Sequence, residues 1–309
     1  MKTLQLWPIA ELNYFPGKLV AFDPGPQRTL YMLYALEPLD YRSDAGSPKI
    51  HPAKPQRYRA QAWLDGERVL DLTIEGERYN IHHLQPLGNE LLLACSRASS
   101  RGGDSHLNGR VYSRTGKFLR ELALGDAIEH LQTTARGEIW AGYFDEGVSA
   151  NSTISSAGLF AWDAQGTPVY RYDPSGPLDR IMDCYALNLA SHNEVWLCYY
   201  TDFPLVQIRD RRIVRSWTIP EATRGSHAFA VHGHRALFAG GYGDHHSYHL
   251  LTLGDGPQAT ATFTFGLIDE DKNPLRAERI AGRGDTLYLL RGLNVYACDI
   301  GLAFSMITC

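Results

Sequence analysis

Carboxylates recur at one spacing from a recurring aromatic residue. Trp140 leads by six residues to Glu146, Trp196 to Asp202, Phe238 to Asp244 and Tyr31 to Glu37, and Asp145 stands beside Glu146. Carboxylate oxygens that converge are ligands for a divalent cation, or half of an acid/base pair. Two of them about 4 Å apart repel by roughly 4 kcal/mol at an effective dielectric of 20, so such acids either share a cation or stay apart. Glu146, Asp202 and Asp244 are therefore the candidate metal ligands, with a divalent cation as the one cofactor they would accept.

Imidazoles and phenols accompany the acids. His83 and His130 each precede a Leu-Gln pair, which makes them the candidate general bases, and His227 opens the corresponding strand further along. His106, His245 and His246 fall nearer the rim. Tyr143, Tyr199, Tyr200 and Tyr242 flank the acids and can stack on a ligand or anchor an interface. With His245, Glu37 and Asp145, these tyrosines and the three acids form the candidate ligand-binding set. Each residue also has a plain structural role open to it: an Asp after a strand caps a turn, a strand His bonds to its neighbours, and a Tyr packs between sheets. No HExxH spacing compacts these residues into a ligand set.

The elements that must position these residues come from an internal repeat. "HLQTTARGEIWAGYFDE" (130 to 146) aligns without a gap on "ALNLASHNEVWLCYYTD" (186 to 202), matching Gln132 with Asn188, Glu138 with Glu194 and Trp140 with Trp196. Further copies are "HGHRALFAGGYGD", "HHLQPLGNELLLAC", "IAGRGDTLYLLRG" and "QRTLYMLYALEP". Each is followed by alternating strands around a polar turn, as in "AQAWLDGERVLDLTI" or "LFAWDAQGTPVYRYD". Period-two alternation around Asp-Gly, Thr-Gly or Gln-Gly predicts hairpins, because these residues accept the positive φ of tight turns.

Six such units predict an all-β protein, a β-propeller of six four-stranded antiparallel blades in a single domain. The predicted blades are 17–76, 77–125, 126–176, 177–220, 221–268 and 269–309. Residues 3 to 9, "TLQLWPI", are a candidate closing strand, in competition with the C-terminal run "LAFSMIT". The units resemble the six-bladed propeller superfamily without the Gly-His and Trp-Asp signature of WD40 repeats. "GYFDEGV" and "YYTDFPL" are similar to stretches of uncharacterised bacterial propeller-like proteins.

Loops after the second strand of a blade share one face with the loops between blades, and insertions mark the used face. Blade one inserts "EPLDYRSDAGSPKIHPAKPQRY", blade two "SRASSRGGDSHLNG" and blade three "DEGVSANSTISSAG".

Composition narrows the function. The 309 residues carry Lys+Arg 30 against Asp+Glu 34, a net charge of -4 with no basic run, which argues against nucleic acid as a partner. No stretch reaches the 18 or so apolar residues of a membrane span, and the first residues form no apolar core of a signal peptide, so a cytoplasmic protein is predicted. Five cysteines without a CxxC pair predict reduced thiols.

GxSxG, GxxxxGK and GxGxxG are absent. Asp104-Ser105-His106 are adjacent in sequence, whereas triads assemble in space. Asn151 heads a glycosylation sequon that a cytosolic protein would not use. The leading expectation is a binding module recognising a protein or small ligand on the face bearing the long loops of blades 1–3. The alternative, by analogy with propellers that hold a divalent ion at the channel mouth, is a metal-assisted hydrolase or lactonase.

Overall fold

The computed structural model of the chain describes residues 2–98, 106–150 and 152–308. It is a β-propeller of six four-stranded antiparallel blades, as the repeats predict. Two short strands open the chain, β1 (Lys2–Gln5) and β2 (Pro8–Glu11). Three blades follow within the unit Phe15–Cys184. Blade one is β3 (Lys18–Pro24), β4 (Leu30–Ala35), β5 (Gln56–Leu64) and β6 (Glu67–Glu77). Blade two is β7 (His83–Leu87), β8 (Glu90–Ala94), β9 (Gly109–Ser113) and β10 (Phe118–Leu122). Blade three is β11 (Ile128–Thr133), β12 (Ile139–Tyr143), β13 (Leu159–Trp162) and β14 (Pro168–Arg171), with a helical turn α1 (Asp145–Val148) after its second strand.

The second unit, Met1–Tyr14 with Tyr185–Cys309, contains the other blades. Blade four is β15 (Asp183–Leu189), whose first two residues fall in the preceding unit, β16 (Glu194–Tyr200), β17 (Pro204–Arg209) and β18 (Arg212–Thr218). Blade five is β19 (Phe229–His232), β20 (Arg235–Ala239), β21 (Ser247–Leu253) and β22 (Ala259–Ile268). Blade six is β23 (Arg279–Arg283), β24 (Thr286–Arg291) and β25 (Asn294–Asp299), completed by β2 from the start of the chain.

This completion corrects one expectation. The run "LAFSMIT" is no strand but part of the helix α2 (Ile300–Thr308). Asp299 Oδ1 accepts the Leu302 N–H at 2.8 Å, an N-cap, and Ile300, Ala303 and Phe304 follow helical spacing into the core of their unit. The last strand therefore lacks a following hairpin partner, and β2 supplies it, with Ala10 opposite Val295. β1 lies parallel to β22 as a fifth strand on blade five, Leu4 opposite Leu267.

The sequence repeat has a physical reason. Glu138 and Glu194 stand two residues before Trp140 and Trp196, on the same pleat face, and their carboxylates accept the indole N–H at 3.3 and 3.0 Å. Burying an indole without such a partner would leave its donor unsatisfied, so the acid travels with the Trp. The hairpin turns behave as the dipeptides predict: Asp65 and Gly66 have φ of 50° and 82°. Asp210 and Arg211 make the same kind of turn at 49° and 60° without a glycine.

Amide side chains tie strands of different blades together. Asn188 donates to the carbonyls of Phe229 at 2.7 Å and Gly284 at 3.1 Å, and accepts from Gly284 N at 2.8 Å. Gln85 does the corresponding work in the other unit, accepting from Thr133 N at 3.1 Å. The matched amides of the repeat thus include blade-to-blade clips.

Candidate functional site

The structure places the recurring acids at loop ends and gives most of them partners there. Glu37 accepts from Arg57 Nε at 2.5 Å and from its N–H at 2.7 Å. Glu146 pairs with Arg97 at 2.6 Å, and Asp145 accepts the Glu146 N–H within the first turn of α1. Asp244 closes its own turn, accepting from the Ser247 hydroxyl and from His246 N at 2.7 Å, and these hydrogen bonds, the hydroxyl's first, hold its carboxyl below the usual range. Asp202 and His245 are exposed. Asp104, Ser105 and Asn151 lie outside the described residues.

The first strands of blades two and three carry the candidate bases. His83 Nε2 lies 3.0 Å from Ser96 Oγ, and burial, with His82 and His130 nearby, pushes its pKa down to about 3. His82 accepts from Ser96 N at 3.2 Å and is pushed down by burial to about 4. Both rings are therefore neutral near pH 7, the form a base requires. His130 follows Glu129, which places a carboxylate oxygen within 4.8 Å of an imidazole nitrogen. Close by, Asp183 is raised to about 6 by burial and by the charges of Glu129 and Asp145.

The tyrosines divide. Tyr143 and Tyr199 are core residues, 0% and 1% exposed, and Tyr143 donates its hydroxyl to Leu124 O at 2.6 Å. Tyr200 and Tyr242 are 46% and 58% exposed. They belong to a ring cluster that the spacing argument only half anticipated. Tyr185 packs edge-on to Phe203 at 5.1 Å and to Tyr242 at 5.8 Å, and stacks on His227 at 5.1 Å. Phe203 in turn meets Tyr200 at 5.8 Å and Tyr242 at 5.7 Å. The hydroxyls of Tyr242 and Tyr185 are hydrogen-bonded.

Local backbone geometry sets this cluster. Phe203 holds φ at 52° in the turn between β16 and β17, which drives its ring down as a buried floor. Tyr242 N donates to Arg224 O at 2.8 Å, and its ring lies over Gly225, where a Cβ would come within 2.5 Å. Only a glycine, with φ of +82°, permits both the turn and the overlying ring.

A second feature escaped the spacing argument entirely. In the unit Phe15–Cys184, an open groove of about 540 Å³ is lined by His51, Pro52, Pro55, Arg78, Tyr79, Arg110 and Glu121. Its floor is ionic. Glu77 is fully buried and accepts from Arg78 N at 2.6 Å, Tyr79 N at 3.0 Å, Arg110 Nε at 3.2 Å and the Tyr112 hydroxyl. Arg110 also binds Glu121 and lies over the rings of Phe118 at 4.3 Å and Tyr79 at 5.1 Å.

One wall of the groove is the blade-one insertion, residues 36–55, and it is tied down. Buried Asn80 donates to the carbonyls of Asp40 and Lys49, each at 2.8 Å, and its N–H reaches Ile50 O at 2.9 Å. Asp40 binds Lys49 Nζ at 2.5 Å and Ala53 N at 2.6 Å. The Tyr41 hydroxyl donates to Ile81 O. A loop so fixed presents His51 and its prolines in one arrangement, which lowers the ordering cost of binding.

Comparison with known proteins adds a family segment. A family model described as the YxzG family matches residues 162–298, from the end of β13 into β25. No curated protein matches the chain in sequence. Among solved structures, the crystal structure of the computationally designed Ika8 protein aligns with a TM-score of 0.46 at 11% identity, over 95% of this chain and 99% of that one. YCF48 bound to a D1 peptide aligns with a TM-score of 0.44 at 14% identity, over 94% and 99%.

Among the described residues, no helix is long and apolar enough to cross a membrane. Cys95, Cys184, Cys198 and Cys298 are buried free thiols.

Proposed function

We propose that the protein is a binding module whose ring cluster on blades four and five receives a protein partner. The observation that carries this reading is the cluster itself: two largely exposed tyrosines, Tyr200 and Tyr242, are braced by Tyr185 and buried Phe203. Tyr offers a large contact area with few rotatable bonds and a polar tip, the features of residues that dominate protein interfaces. Exposed Asp202, next to Phe203 in sequence, and exposed His245, three residues after Tyr242, are polar residues of the type found at the rim of such anchors. Bracing supports the reading further, since rings fixed in advance lose little freedom on association.

The test is a photo-crosslinking residue placed at Tyr242, followed by affinity measurement with the partner it captures. Tyr242→Ser and Tyr200→Ser should each weaken that partner by tenfold or more, the effect expected of interface anchors. Equal affinity of both variants and the wild type would end the proposal.

A further inference from the structure

The groove in the unit Phe15–Cys184 is chemically unlike the ring cluster. Its lining contains two guanidinium groups, and their situations differ. Arg110 is committed on both sides, to buried Glu77 and to Glu121, and its side chain is only 11% exposed. Arg78 is exposed, and its guanidinium forms no ion pair or hydrogen bond among the described residues. The lining thus holds one guanidinium available to a ligand, a planar fork whose geometry matches a carboxylate.

The wall beside it is aromatic and apolar. His51 packs against Tyr79 with ring centroids 4.5 Å apart, and His106 adjoins both at 6.1 and 6.0 Å. His51 uses Nδ1 on Arg78 O at 2.8 Å, which orients the ring. His106 Nε2 is buried without a hydrogen-bond partner among the described residues. Pro52 and Pro55 add flat apolar surface. The groove's size falls within the usual range of small-ligand sites, about 300–1,000 Å³.

We infer that this groove is a binding site for a ligand bearing a single carboxylate on a planar or apolar body, the carboxylate held by Arg78 and the body by the His51–Tyr79 wall and the prolines. A polyanion fits less well, because Glu77 and Glu121 already stand on the other guanidinium and would repel further negative charge. The carboxylate can belong to a free aromatic acid or to an acidic side chain of a peptide, since both present the same group. The site is independent of the ring cluster, and its test leaves that cluster untouched.

The experiment titrates the full chain, by calorimetry and by ligand-observed NMR, with two matched pairs. N-acetyltyrosine against N-acetyltyrosinamide represents the free acid, and acetyl-Tyr-Glu-amide against acetyl-Tyr-Gln-amide represents the peptide. In at least one pair the acid should bind about tenfold more tightly than its amide, the scale of one charge-assisted bidentate contact. The pair that shows the preference identifies the source. Arg78→Gln should abolish the preference, and because the Arg78 side chain is exposed and unpaired, that variant should melt with the wild type. His51→Ala should weaken both members of the pair together. Equal binding of acid and amide in both pairs, a preference that survives Arg78→Gln, or no saturation of either acid up to about 10 mM would each overturn the inference.

Discussion

The ring cluster of blades four and five and the groove of blades one and two are both built on loop ends, yet they rest on opposite physics. Beneath the cluster is an apolar ring, Phe203, held in place by a left-handed backbone. Beneath the groove is a buried ion pair, Glu77 with Arg110, with further donors from two backbone amides and Tyr112. Apolar support depends on contact and tolerates small changes of shape. Ionic support depends on completeness, because a buried charge that loses its partner is costly.

The largest expected effect breaks the groove's floor. Arg110→Met should cost about 3–5 kcal/mol, the usual penalty for orphaning one member of a buried pair. The double variant Glu77→Leu with Arg110→Met should regain part of that loss, since the charge is removed while two backbone amides and Tyr112 lose their acceptor. Chemical denaturation of the three proteins measures both steps. No compensation in the double variant would show that Arg110 acts through packing on Tyr79 and Phe118 instead.

Next in size is the clip that holds the groove's wall. Asn80→Ala removes two side-chain hydrogen bonds to loop carbonyls, and should cost about 2–3 kcal/mol. Amide hydrogen exchange should rise within residues 36–55 and stay unchanged at Tyr242. A uniform rise throughout would mean that Asn80 supports the fold generally rather than this loop.

Acid should act on the unit that contains the groove through His82 and His83. Their folded pKa values lie below the ordinary 6.5, at about 4 and about 3. The unfolded chain therefore binds protons first, and the stability these groups contribute is full above pH 6.5 and is lost as pH falls toward their folded values. Each group adds at most about 1.4 kcal/mol per pH unit in that window. Asp183 has the opposite sign: raised to about 6, it favours the folded state at low pH and loses that contribution as pH rises through 6. His83→Gln should flatten the acid slope measured by denaturation between pH 6.5 and 4, and Asp183→Asn should steepen it. An unchanged slope in His83→Gln would show that the ring is solvated.

Smaller effects belong to the cluster. Gly225→Ala forces a side chain to φ of +82° and against the Tyr242 ring, and should cost about 1–2 kcal/mol while shifting the Tyr242 resonances. Tyr242→Ser removes a ring that is mostly exposed, and should change stability by about 0.5 kcal/mol or less while weakening partner binding by tenfold or more. A large stability loss there would mark the cluster as a folding element rather than an interface.

Much of the architecture was legible because it is written locally. Alternation, the Asp65-Gly66 turn and the recurring Glu-x-Trp are short-range statements, and each fixes a strand, a hairpin or a buried donor's partner. After Asp299 the pattern alone leaves a strand open as a competitor to the N-terminal segment, because "LAFSMIT" is apolar enough for either element. The deciding marks were the Asp299 cap and the spacing of Ile300, Ala303 and Phe304.

The surroundings of the candidate site residues are less legible in the sequence. The sixth-residue rule points to Asp202 and Asp244, with Tyr200 and Tyr242 beside them in sequence. It could not separate them from Tyr143 and Tyr199, which one step of strand pleat turns into the core. His51, Arg78 and Arg110 come from a loop, a blade junction and a strand, and no spacing links them.

By itself, then, the sequence determined the repeating blade, its turns and the length of the loops at one end, because these depend on period and on local backbone preference. Only the tertiary structure decided which acids are already neutralised, which tyrosines face solvent and which distant side chains share a groove. Those outcomes depend on contacts between segments tens of residues apart, where burial and charge pairing, rather than local pattern, choose the partner.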